Sequence, residues 1–320
     1  MSSCTRIVAA SLFASVAVAT AAFAAAPYPD KQIRVIVPWA PGGSTDIVGR
    51  ILSAEMTNIF KQQVIIDNRA GGGSIVGMQL TAAAPPDGYT FMLTSTGYAH
   101  LIQKTNVDLV ASFEPVAMVG TADSALVVHP ALPVKTVKDL IELAKRRPGQ
   151  ILYSSSGIGG FPHMNTELFK MMTGVDLVHV PFKGGGPAIA DTVAGNTQLQ
   201  IGSIPTEMGF IRAGKLRVIA VGGKKPNPAL PGVPLIKDTV PGYETYIWYG
   251  YFAPKGTPAS VISRMHDAVD AAVKNPNVVK RLEEQGVDIG TMSSAEFGKL
   301  MKSETDKWTE VINKAGIKGE

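Results

Sequence analysis

Short apolar strands that break into a glycine loop and run straight on into a helix recur four times in this chain, and that unit limits the fold more than any other feature. At the first, residues 33–37 read as a strand and Pro41-Gly42-Gly43-Ser44-Thr45-Asp46 as the loop. Val48, Ile51, Leu52, Met56, Ile59 and Phe60 then keep helical spacing. Asn68-Arg69-Ala70-Gly71-Gly72-Gly73-Ser74 follows a strand at 64–66, Ser154-Ser155-Ser156-Gly157-Ile158-Gly159-Gly160 one at 151–153, and Lys183-Gly184-Gly185-Gly186-Pro187 one at 177–180. Unpaired backbone N–H groups and the positive end of the helix dipole meet at a helix N-terminus, so each loop has the makings of an anion receptor. Four of them in one chain predict a shared cleft for a small anion.

The alternation of strand and helix argues α/β layers with mostly parallel sheets flanked by helices. Pro85-Pro86-Asp87-Gly88 reads as a turn, 89–94 as a third strand, 125–128 as a strand and 137–145 as a helix. After a strand at 216–221, prolines 226, 228, 231, 234 and 241 make a stretch too proline-dense for regular structure. Residues 248–254 read as a strand returning to the first block, and the tail as helices over 260–274, 276–285 and 294–315.

Arg6, an apolar run over 7–18 and Ala22-Phe23-Ala24 read as a signal peptide at 1–24, cleaved to leave a chain starting near Ala25. The run is short of the ~20 apolar residues a membrane span needs. Cys4, the only cysteine, leaves with the signal, so the exported chain has no thiol, disulfide or thiolate metal site. Roughly 295 residues remain, enough for two domains at roughly 100–200 residues each. The formal charge of +4 is scattered rather than striped, a weak basis for binding nucleic acid. Enzymes are disfavoured as well. The chain lacks a Gly-x-Ser-x-Gly elbow and a Gly-x-x-x-x-Gly-Lys-Ser/Thr phosphate loop, Val76 stands where the dinucleotide fingerprint needs its third glycine, and the five histidines show no metal-ligand spacing. No catalytic residue, metal or cofactor is expected.

Several motifs in fixed order carry a family resemblance: Pro38-Trp39-Ala40-Pro41-Gly42-Gly43-Ser44-Thr45-Asp46, Asn68-Arg69-Ala70-Gly71, Ala84-Pro85-Pro86-Asp87-Gly88-Tyr89-Thr90, His179-Val180-Pro181-Phe182-Lys183-Gly184 and Ala213-Gly214-Lys215-Leu216-Arg217. From about Tyr28 to the C-terminus the chain resembles the Bug family, the TctC-like periplasmic receptors of tripartite tricarboxylate transport systems. The resemblance implies a two-domain Venus-flytrap fold that closes on a small organic carboxylate. It also implies a monomeric periplasmic protein that hands its ligand to TctA/TctB-like membrane subunits. In family terms, residues 25–124 and 250–320 form domain 1 and 125–249 domain 2, with a two-strand hinge near 125–128 and 249–252. Receptors of this fold also serve as ligand sensors, presenting the closed form to a signalling partner, and the sequence leaves both outputs open.

Within that frame the N–H groups of Gly42, Gly43 and Ser44, behind Pro41, are expected to hold a ligand carboxylate, with Asp46 buttressing the loop. The alternative is an ordinary turn in which Ser44 or Thr45 caps the helix. Ser155, Ser156, Gly157 and Gly159 offer hydroxyl and amide donors, and His163 is either a ligand contact or a structural histidine. Gly184, Gly185 and Gly186 leave free donors facing the cleft, before a helix that Pro187 opens. Lys183 either adds charge or faces solvent. The hydroxyls of Thr94, Ser95 and Thr96 complete the shell, while Tyr98 either joins them or packs. Trp39 either floors the pocket or belongs to the core, and Trp248 with Tyr246, Tyr249 and Tyr251 is assigned to the hinge. The last candidates are Gly202 and Ser203. Many relatives carry an acidic residue at the place of Gly202, and its absence predicts a preference for an organic acid lacking an amine. Alternatively, Gly202 merely ends a strand outside the pocket.

Overall fold

The computed structural model describes residues 28–318, so the signal peptide expected at 1–24 lies outside the described residues. The first half of the molecule is built from β1 (Ile33–Val37), α1 (Ser44–Phe60), β2 (Val64–Asn68), α2 (Ile75–Ala82), β3 (Thr90–Ser95) and α3 (Ala99–Ile102). Strand β4 (Phe113–Val128) then carries the chain into the second half: α4 (Val137–Arg146), β5 (Leu152–Ser155), α5 (Phe161–Thr173), β6 (Val178–Pro181), α6 (Gly185–Ala194), β7 (Leu199–Ser203), α7 (Ile204–Arg212) and β8 (Arg217–Val221). Strand β9 (Tyr246–Pro254) brings it back, to α8 (Ala259–Lys274), α9 (Pro276–Glu284), β10 (Val287–Ile289) and α10 (Ser294–Ala315). No helix among the described residues is long and apolar enough to cross a membrane.

The helical spacing read at α1 is its buried stripe: Val48, Ile51, Leu52, Met56 and Phe60 all face the sheet. Each half has its own core. Residues of β1, β3, β9, α1 and α8 fill one, and Leu126, Leu140, Tyr153, Phe169, Ile201 and Ile219 are among those that fill the other. Strand order runs β2-β1-β3-β9-β4-β7-β5-β6, with β8 and β10 also paired to β4.

Parallel sheets flanked by helices form each half, and the two long strands add antiparallel pairings. Order is parallel where helices connect strands, in β2-β1-β3 and in β7-β5-β6. It is antiparallel at every pairing that β4 and β9 make, because these strands are the outward and return passages between the halves. The first part of β4 escaped the sequence reading, since Pro115, Gly120 and Asp123 interrupt its apolar pattern and its register shifts twice against β9.

The chain exchanges sheets at Ser124 and Thr245, a few residues before the 125–128 and 249–252 segments expected to hinge. Up to Asp123, β4 pairs with β9, and from Ser124 it pairs with β7. The two passages are laced there. Gly222 N–H donates to Ser124 O at 2.8 Å, Thr245 N–H donates to Gly222 O at 2.9 Å, and the Ser124 and Thr245 hydroxyls lie 2.6 Å apart.

Candidate ligand-binding site

Between the halves lies a small cavity of about 30 Å³, room for on the order of two waters. Four helices begin at its wall. Gly43 precedes α1, Gly160 precedes α5, Gly184 precedes α6 and Ser203 precedes α7, and none of these four N-termini has a side-chain cap. Of the helices that contribute nothing to the wall, α4, α9 and α10 are capped by Thr136, Asn275 and Ser293, whereas α2, α3 and α8 have no side-chain cap either. An uncapped N-terminus leaves its first N–H groups for another acceptor, so four partial positive charges converge on one space.

The rest of the wall is hydroxyl, amide and ring. Ser44, Ser95, Thr96, Ser156 and Ser203 line it as the sequence predicted, together with Gly43 and Trp39. Trp39 does both of the things foreseen for it: it belongs to the core of the first half and faces the cavity, with its Nε1 buried and unpartnered. Among the described residues, no ionisable side chain lines the cavity. Thr45 also lines it, donating from Oγ1 to Ser95 Oγ at 2.8 Å, and Ser44 N–H crosses the cleft to Thr206 Oγ1 at 3.0 Å.

Other predicted residues stand one layer back. Pro41 and Gly42 shape the first loop, where Gly42 takes φ +82° and donates its N–H to Asp46 Oδ2 at 3.0 Å. Asp46 buttresses that loop as expected and is itself paired with Arg50 at 2.9 Å. Thr94 is buried behind Ser95. Ser155 bonds His179 and receives the Gly157 N–H. His163 is a structural histidine in this structure: its Nδ1 accepts the Gly159 N–H at 3.1 Å, and its ring stacks on His179 with centroids 4.3 Å apart. Burial holds both imidazoles below their ordinary value. Lys183 is exposed and meets the other half only through its carbonyl, which accepts Ala40 N–H at 3.1 Å. Tyr98 packs, stacking on Trp308 and donating to Glu304.

Several glycines serve a purpose the sequence reading did not foresee. A Cβ on Gly184 would lie 2.7 Å from Ala40 N, one on Gly186 2.2 Å from Pro41 O, and one on Gly159 2.5 Å from Ala99 N. Backbone meets backbone across the cleft at all three. The Asn68–Ser74 loop also acts at the rim, not in the wall, with Gly73 against Ile158 O.

Gly202 is buried beside the wall but does not line it. The carboxyl taken as missing at this position is present in space, because Gly202 N–H donates to Glu207 Oε1 at 3.0 Å and Glu207 is fully buried. Sequence reasoning also missed Gln200, Thr206, Phe161, Pro162 and Ile247 as wall residues. The available signal was the Ser203-Ile204-Pro205 start of α7, which repeats the strand-to-helix design without a glycine loop. Tyr249, assigned to the hinge, sets its buried, unpartnered hydroxyl beside Ser44 and Ser203.

Residues 48–317 match the family described as the tripartite tricarboxylate transporter family receptor. The chain belongs to this family. Among solved structures, the R. palustris protein Rpa4515 with adipate is 33% identical with a TM-score of 0.88, over 91% of this chain and 99% of its own. The periplasmic binding protein BugD is 28% identical with a TM-score of 0.88, over 92% of this chain and 100% of its own. MatC from Rhodopseudomonas palustris, with bound malate, is 27% identical with a TM-score of 0.85, over 89% of this chain and 100% of its own. The chain is thus a receptor with the two-domain flytrap fold of periplasmic binding proteins.

Proposed function

We propose that this receptor captures a small organic acid of the dicarboxylate class between its halves and delivers it to the membrane subunits of a tripartite tricarboxylate-type transporter. The observation that carries this reading is the convergence of four uncapped helix N-termini on a cavity without ionisable side chains. Such a wall stabilises negative charge by oriented N–H groups and hydroxyls. Adipate and malate, the ligands of two structural relatives, have that chemistry.

In this reading Gly43, Ser44, Ser95, Thr96, Ser156 and Ser203 donate to carboxylate oxygens, Trp39 packs on the carbon chain, and the second layer holds the loops in place. Residues up to 124 and from 246 form one rigid domain and 125–245 the other. The domains rotate about Ser124 and Thr245. The ligand enters when the halves part, and seating it brings them together again. Export through the 1–24 signal and action as a monomer complete the proposal.

The test is calorimetry and thermal shift on unfolded and refolded protein, with adipate, malate, tricarboxylates, aromatic acids and amino acids. A ligand at 100 times its Kd adds about 2.7 kcal/mol to the unfolding free energy. Binding also reduces the scattering radius as the halves close. If no carboxylate shifts either quantity, the proposal fails.

A further inference from the structure

Behind the cavity wall sits a buried carboxyl that nothing in the capture of an anion calls for. Glu207, in the first turns of α7, is wholly inaccessible, and its one polar partner is the Gly202 N–H on Oε1. Its Oε2 is buried with no partner. Gln200 is equally buried and lines the cavity, donates from Nε2 to Ser154 Oγ at 2.8 Å, and leaves its Oε1 unpartnered as well. The two side chains converge: Gln200 Oε1 and Glu207 Oε1 each lie 2.5 Å from the point a Cβ on residue 202 would occupy. A side chain there would push the ends of Gln200 and Glu207 aside.

A Gln200 Oε1 without a donor, beside a carboxyl whose Oε2 also lacks one, is costly in a dry interior. One proton removes the conflict by turning a carboxyl oxygen into a donor. No cation among the described residues is placed to do so instead. Of the elements packed around α7, α1 carries Asp46 and Arg50, which pair with each other, and Glu55, which takes the Asn58 amide. Strand β4 carries Asp123, engaged by Asn227, and Glu114, engaged by Lys255. Helix α6 carries Asp191, engaged by Asn196, while β7 carries no charge, and Arg212 of α7 reaches Glu284 O. Burial alone pushes the Glu207 carboxyl well above its ordinary range.

We infer that Glu207 is a positioning residue that acts as a neutral acid, donating its proton to Gln200 Oε1 so that the Gln200 amide turns N–H rather than C=O toward the ligand carboxylate. The inference rests on the carboxylate reading above. It adds the group that fixes the polarity of the wall. When Glu207 loses its proton to solvent at alkaline pH, the amide turns over to donate to the new carboxylate. Its carbonyl then replaces a donor in the wall. The anion loses a charge-assisted hydrogen bond and faces a new acceptor, a loss of about 10- to 100-fold in affinity.

The test compares wild type with Glu207→Gln, which keeps the shape and supplies a donor that never ionises. In the ligand-free protein at neutral pH, the infrared difference spectrum between the two should contain the C=O band of a protonated carboxyl. A carboxylate pair of bands in its place overturns the inference whether or not any ligand binds, so this readout is independent of the carboxylate reading. With adipate as the probe, Glu207→Gln should bind within about threefold of wild type at neutral pH. The wild type should weaken about 10- to 100-fold as that band titrates away, and Glu207→Gln should not. An alkaline loss that persists in Glu207→Gln, or a neutral-pH loss beyond about tenfold in that variant, overturns the inference. If neither adipate nor malate binds, the Gln200 side-chain amide resonance takes the place of affinity. It should shift with the infrared band in wild type and stay fixed in the variant, and a resonance that does not follow the band overturns the orienting role.

Discussion

Gly159→Ala and Gly174→Ala form a matched pair that separates closure of the cleft from ordinary backbone strain. Both glycines take left-handed dihedrals, φ +73° at Gly159 and φ +68° at Gly174. An alanine at either position therefore costs about 1–2 kcal/mol of folding stability. Their surroundings differ. A Cβ on Gly174 meets nothing within 4 Å, whereas one on Gly159 meets Ala99 N at 2.5 Å, Ala99 Cα at 2.6 Å and the Tyr98 carbonyl carbon at 2.9 Å. Those atoms belong to the opposite half, so the clash exists only when the halves are together. Relieving it overpacks the contact by about 1–3 kcal/mol and breaks the Tyr98 N–H to Gly159 O bond of 2.8 Å, which adds about 0.5–1.5 kcal/mol.

The expected result is a similar drop in ligand-free Tm for both variants, with carboxylate affinity reduced about 10- to 1,000-fold in Gly159→Ala only. Calorimetry measures the affinity, and small-angle scattering should show that Gly159→Ala no longer compacts with ligand. If Gly159→Ala binds within threefold of Gly174→Ala, the backbone contacts across the cleft do not belong to the ligand-bound state, and the closure argument falls.

Gly43→Pro should weaken binding more than Lys183→Ala does. Gly43 has φ −80°, which proline tolerates, yet proline removes an N–H at the wall, whereas Lys183 is exposed and outside it; calorimetry reversing that order would assign recognition to the lysine. An α-amino acid should bind less tightly than its deaminated analogue, because no ionised carboxylate lines the cavity to meet an ammonium, and competition calorimetry favouring the amine would refute this. Acid should loosen the protein through the His163–His179 stack. Burial, then the neighbouring His163, lowers His179 from its ordinary 6.5 to about 3, so the unfolded chain binds the extra proton between those values. Stability present above pH 6.5 should be lost as pH falls toward 3, with a shallower slope in His179→Phe, and a Tm flat across that window would refute the assignment.

Local rules made much of the fold legible. The helical stripe of α1, the turn at 85–88 and the three tail helices appear where spacing and turn chemistry put them, because each answers to neighbours a few residues away. The first part of β4 was illegible for the opposite reason. Its partners are β9, more than a hundred residues on, and β10, and its irregular register is imposed by them. At the site, loop residues with their own donors could be read, namely Gly43, Ser44, Ser95, Thr96 and Ser156. Gln200 and Thr206 could not, since a glutamine inside a strand and a threonine inside a helix become wall residues only when α7 meets α1 across the cleft.

The glycines show why one sequence signal carries two physical demands. Glycine exposes an N–H to an anion, and it also lets two backbones touch. Gly43 serves the first demand, at the N-terminus of α1 facing the cavity. Gly159, Gly184 and Gly186 serve the second, where a single added carbon would hold the halves apart. Gly202 serves neither, since it vacates the space into which Gln200 and Glu207 converge. In a receptor that closes, the first two demands belong together: the donors around an anion are strong only in a site sheltered from water, and the shelter here is made by backbone contacts that side chains would prevent. In the proposed function, a loop rich in glycine is both the recognising surface and the seal.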